Sequence, residues 1–424
     1  MKKKFLFLSA LVAATTAFVS CSSDENLAEV PDVVEETPAK TGTPFSVVVA
    51  NDDGTTRATL IDNTSLGSFK LFAKQGSAAP WINGNVFKFE DSKWNPYQGS
   101  TAVEMSWPTE DKETASNFYA YSDNSTDGVT VDTGSPTTSC VVTDNLANGS
   151  FVYKFYTDPN DHVWNKTGRG GYNFTVSNVV DLDKQSDLLV AYTTQNEAAG
   201  TSVPLHFRHA LASLAIQARF TCMEWNATEG ASKTTGINEG ARLTIMGIRI
   251  YGLKGGGTFT FPATDDYNAE THRWGTTPWT TEGGTDVIYE KNFDTPKVIS
   301  AQNQTSATDP INKTEIIGHT DLMVIPQSYT PWPWTQSKDT GVAPSNCYVA
   351  IRMSGVQGDG EGGDGSQLTE QVYYLPLTTP STSNAFLAGV KHTITLNLNY
   401  VCSSTGTYVF SPSGSGGIQS APMY

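Results

Sequence analysis

One arginine near the start of the chain stands where proteolytic chemistry could act on it. The stretch "PFSVVVANDDGTTRATL", residues 44–60, begins with the β-branched and aromatic residues typical of a strand. Turn-forming residues follow at 51–54, and Arg57 then stands among small residues directly before Ala58. The residues leave two interpretations open. Arg57 is either a surface charge beside a hairpin, or the residue after which a protease cuts the chain.

The first cysteine lies where a lipid is attached in bacterial lipoproteins. A basic segment at 2–4 precedes the apolar and small residues of 5–20, and Ser20 directly precedes Cys21. This order predicts a lipoprotein signal peptide over residues 1–20, cleavage before Cys21, and attachment of outer-membrane lipid to the Cys21 thiol. An ordinary secretory signal with a chance cysteine is the alternative. The acidic, proline-bearing residues 21–43 then predict a flexible, solvated tether.

Histidines and carboxylates give little support for catalysis or metal binding. His206 and His209 are three residues apart, so in a strand they point to opposite faces and would not share a metal ion. The Gly-rich run at 358–365 carries three carboxylates, but its spacing fits no standard calcium loop, and a hairpin tip accounts for it as well. No hydrolase, metalloprotease or phosphate-loop motif occurs. We expect neither cofactor nor metal, and no enzymatic activity.

Two tryptophans close together could present a surface to sugars. Trp332 and Trp334 flank a proline in the most aromatic loop of the chain. An exposed indole can stack on the apolar face of a sugar, which would make both residues glycan contacts. A tryptophan in a sandwich loop more often closes the end of the core. The sequence favours the second interpretation and leaves the first open.

Charge and cysteine content narrow the choice of partners. The chain has 424 residues and a formal net charge of −16, from 27 basic and 43 acidic residues. Nucleic acid is not expected as a partner, because phosphate binding needs clustered lysine and arginine.

Four further cysteines allow three disulfide pairings among them, and the sequence does not choose one. We favour four buried thiols, because a chain of this length needs no cross-link: Cys140, Cys222, Cys347 and Cys402.

Strand patterns recur along most of the chain. No segment combines helical periodicity with helix caps, whereas many short runs alternate apolar and polar residues. Residues 241–253 are apolar on both faces and predict a central strand. The run "KGGG" at 254–257 then breaks the pattern. The sequence therefore predicts an all-β fold with two antiparallel β-sandwich domains, at 44–253 and 254–424.

The order of several motifs resembles the fimbrillins, the subunits of type V pili of Gram-negative anaerobes. The signal, the acidic tether and "TTRAT" are followed by "MSWPTE" (105–110), "NFYAYS" (117–122), "DLLVAYT" (187–193), "LHFRHALASLAIQARF" (205–220), "LMVIPQSY" (322–329) and "AFLAGVKHTITLNL" (385–398). The similarity covers nearly the whole chain. One departure is Leu387-Ala388 before Gly389, where the family often has an aromatic residue.

This resemblance implies a fold and a route of assembly. The fold is two tandem transthyretin-like sandwiches with Ig-like Greek-key topology. In the implied route an arginine-specific protease cuts after Arg57, and the first strand, with Phe45, Val47 and Val49, leaves the sandwich. A strand of a neighbouring subunit then fills the empty groove. The tail at 406–424 is either that donor strand or a final strand of its own domain.

Two functions follow as hypotheses, and both place the protein at the cell surface. The first is a structural subunit of a fimbria, exported as a lipoprotein, polymerised with other fimbrial subunits by strand exchange, and serving adhesion to a host or bacterial surface. The second is a surface lipoprotein that binds glycans, or an adhesin at the pilus tip, that does not polymerise.

Overall fold

The computed structural model describes most of the chain from Gly42 onward. The described residues are 42–50, 66–108, 112–122, 140–166, 172–226, 231–233, 241–263, 267–268, 273–275, 277–281, 284, 286–301, 313–318, 322–332, 346–356, 367–377, 384–402, 408–410 and 413–422. These residues form strands, connecting loops and three short 3-10 turns, at Leu146–Asn148, Leu182–Lys184 and Glu197–Ala199. Within these ranges, no helix has the length and apolar character needed to cross a bilayer.

The strands up to residue 209 are short and mostly follow one another directly. They are β1 (Ser46–Val49), β2 (Ser68–Gln75), β3 (Ile82–Glu90), β4 (Lys93–Gln98), β5 (Thr101–Ala102), β6 (Ser116–Ser122), β7 (Cys140–Asn145), β8 (Ser150–Lys154), β9 (Thr157–Asp158), β10 (His162–Lys166), β11 (Tyr172–Val176), β12 (Val179–Asp181), β13 (Leu189–Gln195), β14 (Ser202–Leu205) and β15 (Arg208–His209).

The later strands include the longest ones. They are β16 (Ala212–Asn226), β17 (Ala231–Lys233), β18 (Arg242–Lys254), β19 (Gly256–Thr260), β20 (Tyr267–Asn268), β21 (Arg273–Trp274), β22 (Trp279–Thr280), β23 (Asp286–Ser300), β24 (Thr314–Ile317), β25 (Met323–Val324), β26 (Gln327–Ser328), β27 (Tyr348–Val356), β28 (Gln367–Pro376), β29 (Ala385–Phe386), β30 (Val390–Cys402), β31 (Tyr408–Phe410) and β32 (Ser413–Pro422).

An N-terminal core lies between a seven-stranded sheet and a thin second layer. The sheet has the order β15–β13–β6–β2–β3–β4–β5. The second layer, among the described residues, is the parallel pair of β1 and β14. Because alternate strand residues point to opposite faces, alternate side chains of β1 and of the central strands of the sheet enter this core. The large rings of this core come from strands and from adjoining loops: Phe45, Phe69, Phe87, Trp94, Trp107, Phe118 and Phe207.

A larger core lies among several sheets. The four-stranded sheet of order β22–β19–β8–β7 contributes Phe151 and Phe259 to it, and two larger sheets contain the longest strands. One has the order β28–β27–β18–β23–β12–β9, and the other has the order β17–β16–β30–β31, with β24 and β25 also on β16 and β32 also on β30. The prediction of an all-β fold built from sandwiched sheets is confirmed. Among the described strands, β1–β14, β12–β23 and β16–β30 pair in parallel, which the sequence did not predict. Such pairs need long crossovers, and here their partners lie far apart in the chain.

The predicted domain boundary between residues 253 and 254 does not coincide with the edge of either core. Lys254 is the last residue of β18, which pairs with β23 on one side and with β27 on the other, as expected of a central strand. The glycines behind it continue into β19, where Gly256 pairs with Lys154 of β8. The chain therefore enters the larger core before residue 160 and leaves the N-terminal core after Phe207. The division into two independent domains stays a prediction.

The hairpin of β10 and β11 pairs with no other strand among the described residues. Trp164 of β10 is 1% exposed, and it forms a small separate cluster with Trp332, Tyr348 and Tyr374. Tyr348 alternates along β27 with Val349, which belongs to the larger core. The hairpin therefore covers the face of this sheet that points away from that core.

A buried ion pair lies under this hairpin. Arg249 of β18 is fully buried, and its guanidinium donates to the Glu290 carboxylate and, over 3.1 Å, to the His162 carbonyl. His162 Nδ1 lies 2.6 Å from Glu290 Oε1, and the Asn292 side chain donates to the same oxygen over 2.8 Å. The guanidinium also lies 4.1 Å from the ring centroid of Trp164. Charge, hydrogen bonds and ring contact thus hold the hairpin to the sheet.

Candidate functional site

The first strand is the element on which the predicted function depends. Its residues alternate: Phe45, Val47 and Val49 are buried in the N-terminal core, whereas Val48 is 50% exposed. Fully burying one such side chain stabilises a fold by roughly 1.5–3 kcal/mol. The three side chains predicted to leave with the strand are therefore those that attach it. We call the surface that receives β1 the β1 seat; it consists of β14, residues 105–107, and the rings of Trp81, Phe87 and Phe118.

Backbone hydrogen bonds hold β1 to the seat on both sides. Along β14 the pairing is parallel and in register from Ser46 opposite Ser202 to Val49 opposite Leu205. The N–H groups of Ser46 and Ala50 donate to the Thr201 and Leu205 carbonyls over 3.2 and 3.0 Å. On the other side the Phe45 N–H donates to the Met105 carbonyl over 3.0 Å. Only β14 pairs with β1 along its length within the described chain, so β1 is a short strand with few backbone partners.

Phe45 occupies a pocket made of aromatic rings. Its ring centroid lies 5.2 Å from Trp81 and 5.5 Å from Trp107, both edge-on, and 5.8 Å from Phe118, with which it is stacked. The Phe87 ring follows at 6.4 Å. These distances and angles are those that favour aromatic pairs beyond the burial of their area. Phe45 therefore makes the aromatic contacts that attach this segment.

A polar cluster fixes the chain at the start of β1. The Thr43 hydroxyl donates to Glu197 Oε1 over 2.5 Å, and Lys112 Nζ lies 2.8 Å from the same oxygen. Two hydrogen bonds lower the pKa of the Glu197 carboxyl below its ordinary value; the one from Lys112 has the larger effect and the one from Thr43 the smaller. The Thr43 carbonyl also accepts the Trp107 N–H over 2.9 Å. We call Thr43, Lys112 and Glu197 the Glu197 cluster.

Sequence reasoning missed the Glu197 cluster. Its members are single polar residues distant from one another in the chain, and none belongs to a motif. Only the parallel return of the chain at β14 brings Glu197 beside Thr43. Gly42, directly before the cluster, passes so close to Ser106 that an added Cβ would lie 2.7 Å from the Ser106 Cβ. That close approach is a local reason for glycine at this position.

The predicted lipidation and processing residues lie outside the described residues. These are Cys21, Arg57 and Ala58. The acidic run at 358–365 and Trp334 also lie outside them. Lipidation and cleavage therefore stay predictions.

Trp332 is described, and its position does not suit a glycan contact. Its side chain is 5% exposed and packs against Tyr348 and Tyr374, at ring-centroid distances of 6.3 and 6.4 Å. A sugar needs a free ring face, and this ring has none. The alternative interpretation, a tryptophan that closes the end of a core, matches this position.

Two ionisable side chains of the described residues, those of His209 and Cys347, have pKa values shifted by their surroundings. No group of three or more potential ligands comes together among the described residues. His209 Nδ1 lies 2.5 Å from Asp187 Oδ2. Burial alone would lower the pKa of His209, but the charge and hydrogen bond of Asp187 outweigh it and raise this pKa. Cys347 is a buried free thiol, and burial raises its pKa, which makes it unreactive.

The tail at the end of the chain pairs with its own molecule. β31 and β32 both lie antiparallel to β30, whose other side is occupied by β16. This arrangement fits the alternative in which the tail is a final strand of its own sheet.

No protein-family model matches the chain, and no curated protein matches it either. The solved structures to which it is similar include several that bear the name "putative cell adhesion protein". One from Parabacteroides distasonis has a TM-score of 0.42 and 9% identity, over 90% of this chain and 97% of that one. One from Bacteroides eggerthii has a TM-score of 0.39 and 12% identity, over 90% of this chain and 96% of that one. One from Bacteroides ovatus has a TM-score of 0.36 and 10% identity, over 90% of this chain and 98% of that one. TM-scores below 0.5 establish neither a shared fold nor a shared function.

Proposed function

We propose that the protein is a subunit of a surface fimbria that is assembled by strand exchange at the β1 seat. The precursor is anchored to outer-membrane lipid through Cys21. An arginine-specific protease cuts between Arg57 and Ala58, and β1 leaves with the anchor. A strand of another fimbrial subunit takes its place, and the fimbria serves adhesion to a host or bacterial surface.

One observation carries this proposal: β1 is a short strand held by alternate buried side chains and by a single strand partner within the described chain. It lies just before the candidate cleavage site, and its only strand partner among the described residues is β14. Without β1, one edge of β14 would lose its backbone partners, and the rings around Phe45 would line an apolar slot. Such a slot is unfavourable in water, and an added strand supplies both the backbone bonds and the apolar side chains.

Two of the motifs that resemble fimbrillins also contribute to the seat. Met105 and Trp107 of "MSWPTE" bond to the backbone on either side of Pro44, and Phe118 of "NFYAYS" stacks on Phe45. The residues that carry the resemblance thus contact β1, the strand that would leave after cleavage. This supports the link between the sequence pattern and the route of assembly.

In vitro cleavage followed by electron microscopy tests the proposal. The full-length precursor is treated with an arginine-specific protease, its new N-terminus is sequenced, and the sample is inspected for filaments in the presence of the other surface subunits. We expect an N-terminus at Ala58 and filaments. The variants Arg57→Ala and Arg57→Lys should fold, remain uncut at this position and form none. Filaments from either variant would refute the proposal.

A further inference from the structure

We infer that the β1 seat selects its incoming strand by a side-chain pattern, aromatic–x–aliphatic–x–aliphatic, and that this strand comes from a different subunit and not from the tail of a second copy. The inference rests on the proposed function and names the partner that it requires. It follows from the shape and polarity of the seat that β1 occupies in the structure.

The first position of the pattern requires an aromatic ring. Phe45 fills a space enclosed by Trp81, Phe87, Trp107 and Phe118, at centroid distances from 5.2 to 6.4 Å. A small residue here would leave a cavity among rings that cannot close the gap without losing their own contacts. The seat therefore favours an incoming strand that begins with an aromatic side chain.

The third and fifth positions require aliphatic side chains of limited size. Val47 and Val49 are 5% and 9% exposed and lie in the same closely packed core. A larger ring at either place would overfill that core, whereas glycine or serine would leave it unfilled.

The second and fourth positions of the pattern place few limits on the incoming side chain. Val48 is 50% exposed, so many side chains are tolerated there. Ser46 lies on the same outward side, with its hydroxyl 2.7 Å from that of Ser202, which favours a small polar residue without excluding others. Because the buried positions alternate with these, a shift of the strand by one residue would turn the apolar side chains to solvent.

The tail of this chain does not reproduce the pattern in any frame. In "TYVFSPSGSGGIQSAP", residues 407–422, Tyr408 in the first position would place Phe410 in the slot of Val47. Phe410 in the first position would place Pro412 and Gly414 in the two aliphatic slots. Ile418 in the first position would supply no ring, and Ser420 and Pro422 would then occupy the two aliphatic slots. The tail backbone also already pairs with β30.

Peptide binding to the cleaved protein tests the inference. The full-length protein is cut with an arginine-specific protease, and its affinity is measured for labelled peptides spanning 43–51, 406–416 and 414–424. We expect the first peptide to bind and both tail peptides to bind at least about tenfold more weakly. Equal binding of a tail peptide refutes the selection but leaves exchange at the seat, and so the proposed function, intact. Binding by none of the peptides refutes both.

Two variants of the 43–51 peptide provide matched controls. Val47→Phe adds a ring at a buried position, and Val48→Phe adds the same ring at an exposed one. We expect the first to lose at least about tenfold in affinity and the second to stay within about twofold of the parent peptide. Equal affinities for the two variants would show that the seat does not read the pattern, and would overturn the inference.

Discussion

At the scale of single residues, the attachment of β1 depends on three alternate side chains and one carboxylate. The alternation of Phe45, Val47 and Val49 could be predicted from the sequence, because strand residues point to opposite faces in turn. The Glu197 cluster could not, because nothing in the local sequence tells which distant segment returns beside Thr43.

Replacing Phe45 tests how strongly β1 is attached. Phe45→Ala removes the ring from its aromatic pocket and should lower the free energy of unfolding of the uncut protein by about 3–5 kcal/mol. Urea denaturation measures this loss. Val48→Ala, at the exposed neighbouring position, is the control and should change stability by less than about 0.5 kcal/mol. Similar losses for both variants would contradict the burial of Phe45.

Glu197 makes the attachment of β1 sensitive to acid. Its pKa lies below the ordinary value of 4.5 because Lys112 and Thr43 donate to its carboxylate. A lowered pKa means that the ionised form stabilises the fold above the pKa of the unfolded chain, and that this contribution disappears as pH falls through the lowered value. The advantage in stability of wild type over Glu197→Gln should therefore shrink on acidification.

Thermal unfolding across the acidic range measures this effect, with Glu315→Gln at an exposed position as the control. The control variant should follow the wild-type profile at every pH. A constant difference between wild type and Glu197→Gln from neutral pH down to the lowest pH at which the fold persists would show that the carboxylate does not act through its charge.

At the scale of elements, strand type was easier to predict than strand partner. The apolar run at 241–253 identified β18 as central, because a strand covered on both faces has no polar side. The glycines after it predict a domain boundary, and that division stays a prediction. They also let β19 approach its neighbours, since an added Cβ on Gly256 would lie 2.9 Å from the Tyr153 carbonyl. Glycines occur in turns, where the chain changes direction, and also where two backbones pack closely, so a glycine-rich segment does not distinguish between the two.

The β10–β11 hairpin should depend on its buried ion pair. Removing one partner with Glu290→Leu leaves the Arg249 charge buried and unpaired, and should cost about 3–5 kcal/mol of stability. Replacing both, as Arg249→Met with Glu290→Leu, should restore a large part of that loss. Hydrogen exchange of residues 162–166 and 172–176 reports on the hairpin itself. A double variant less protected than the single one would contradict this account.

At the scale of the whole molecule, composition and recurrent strand patterns were sufficient for the all-β class. The parallel pairs β1–β14, β12–β23 and β16–β30 could not be predicted, since they depend on how the chain returns over long distances. The path of the chain places β14 beside β1, and this pairing makes the N-terminal strand part of the core. The proposed function requires that another strand take its place there.

The central claim is that the chain is cut at Arg57 and that β1 leaves with the anchor. Mass spectrometry of the N-terminus of this protein in filaments sheared from the cell surface tests it most directly. The account predicts a chain that begins at Ala58 and lacks β1. A lipid-modified Cys21 followed by an intact segment through Arg57, in assembled filaments, would contradict it.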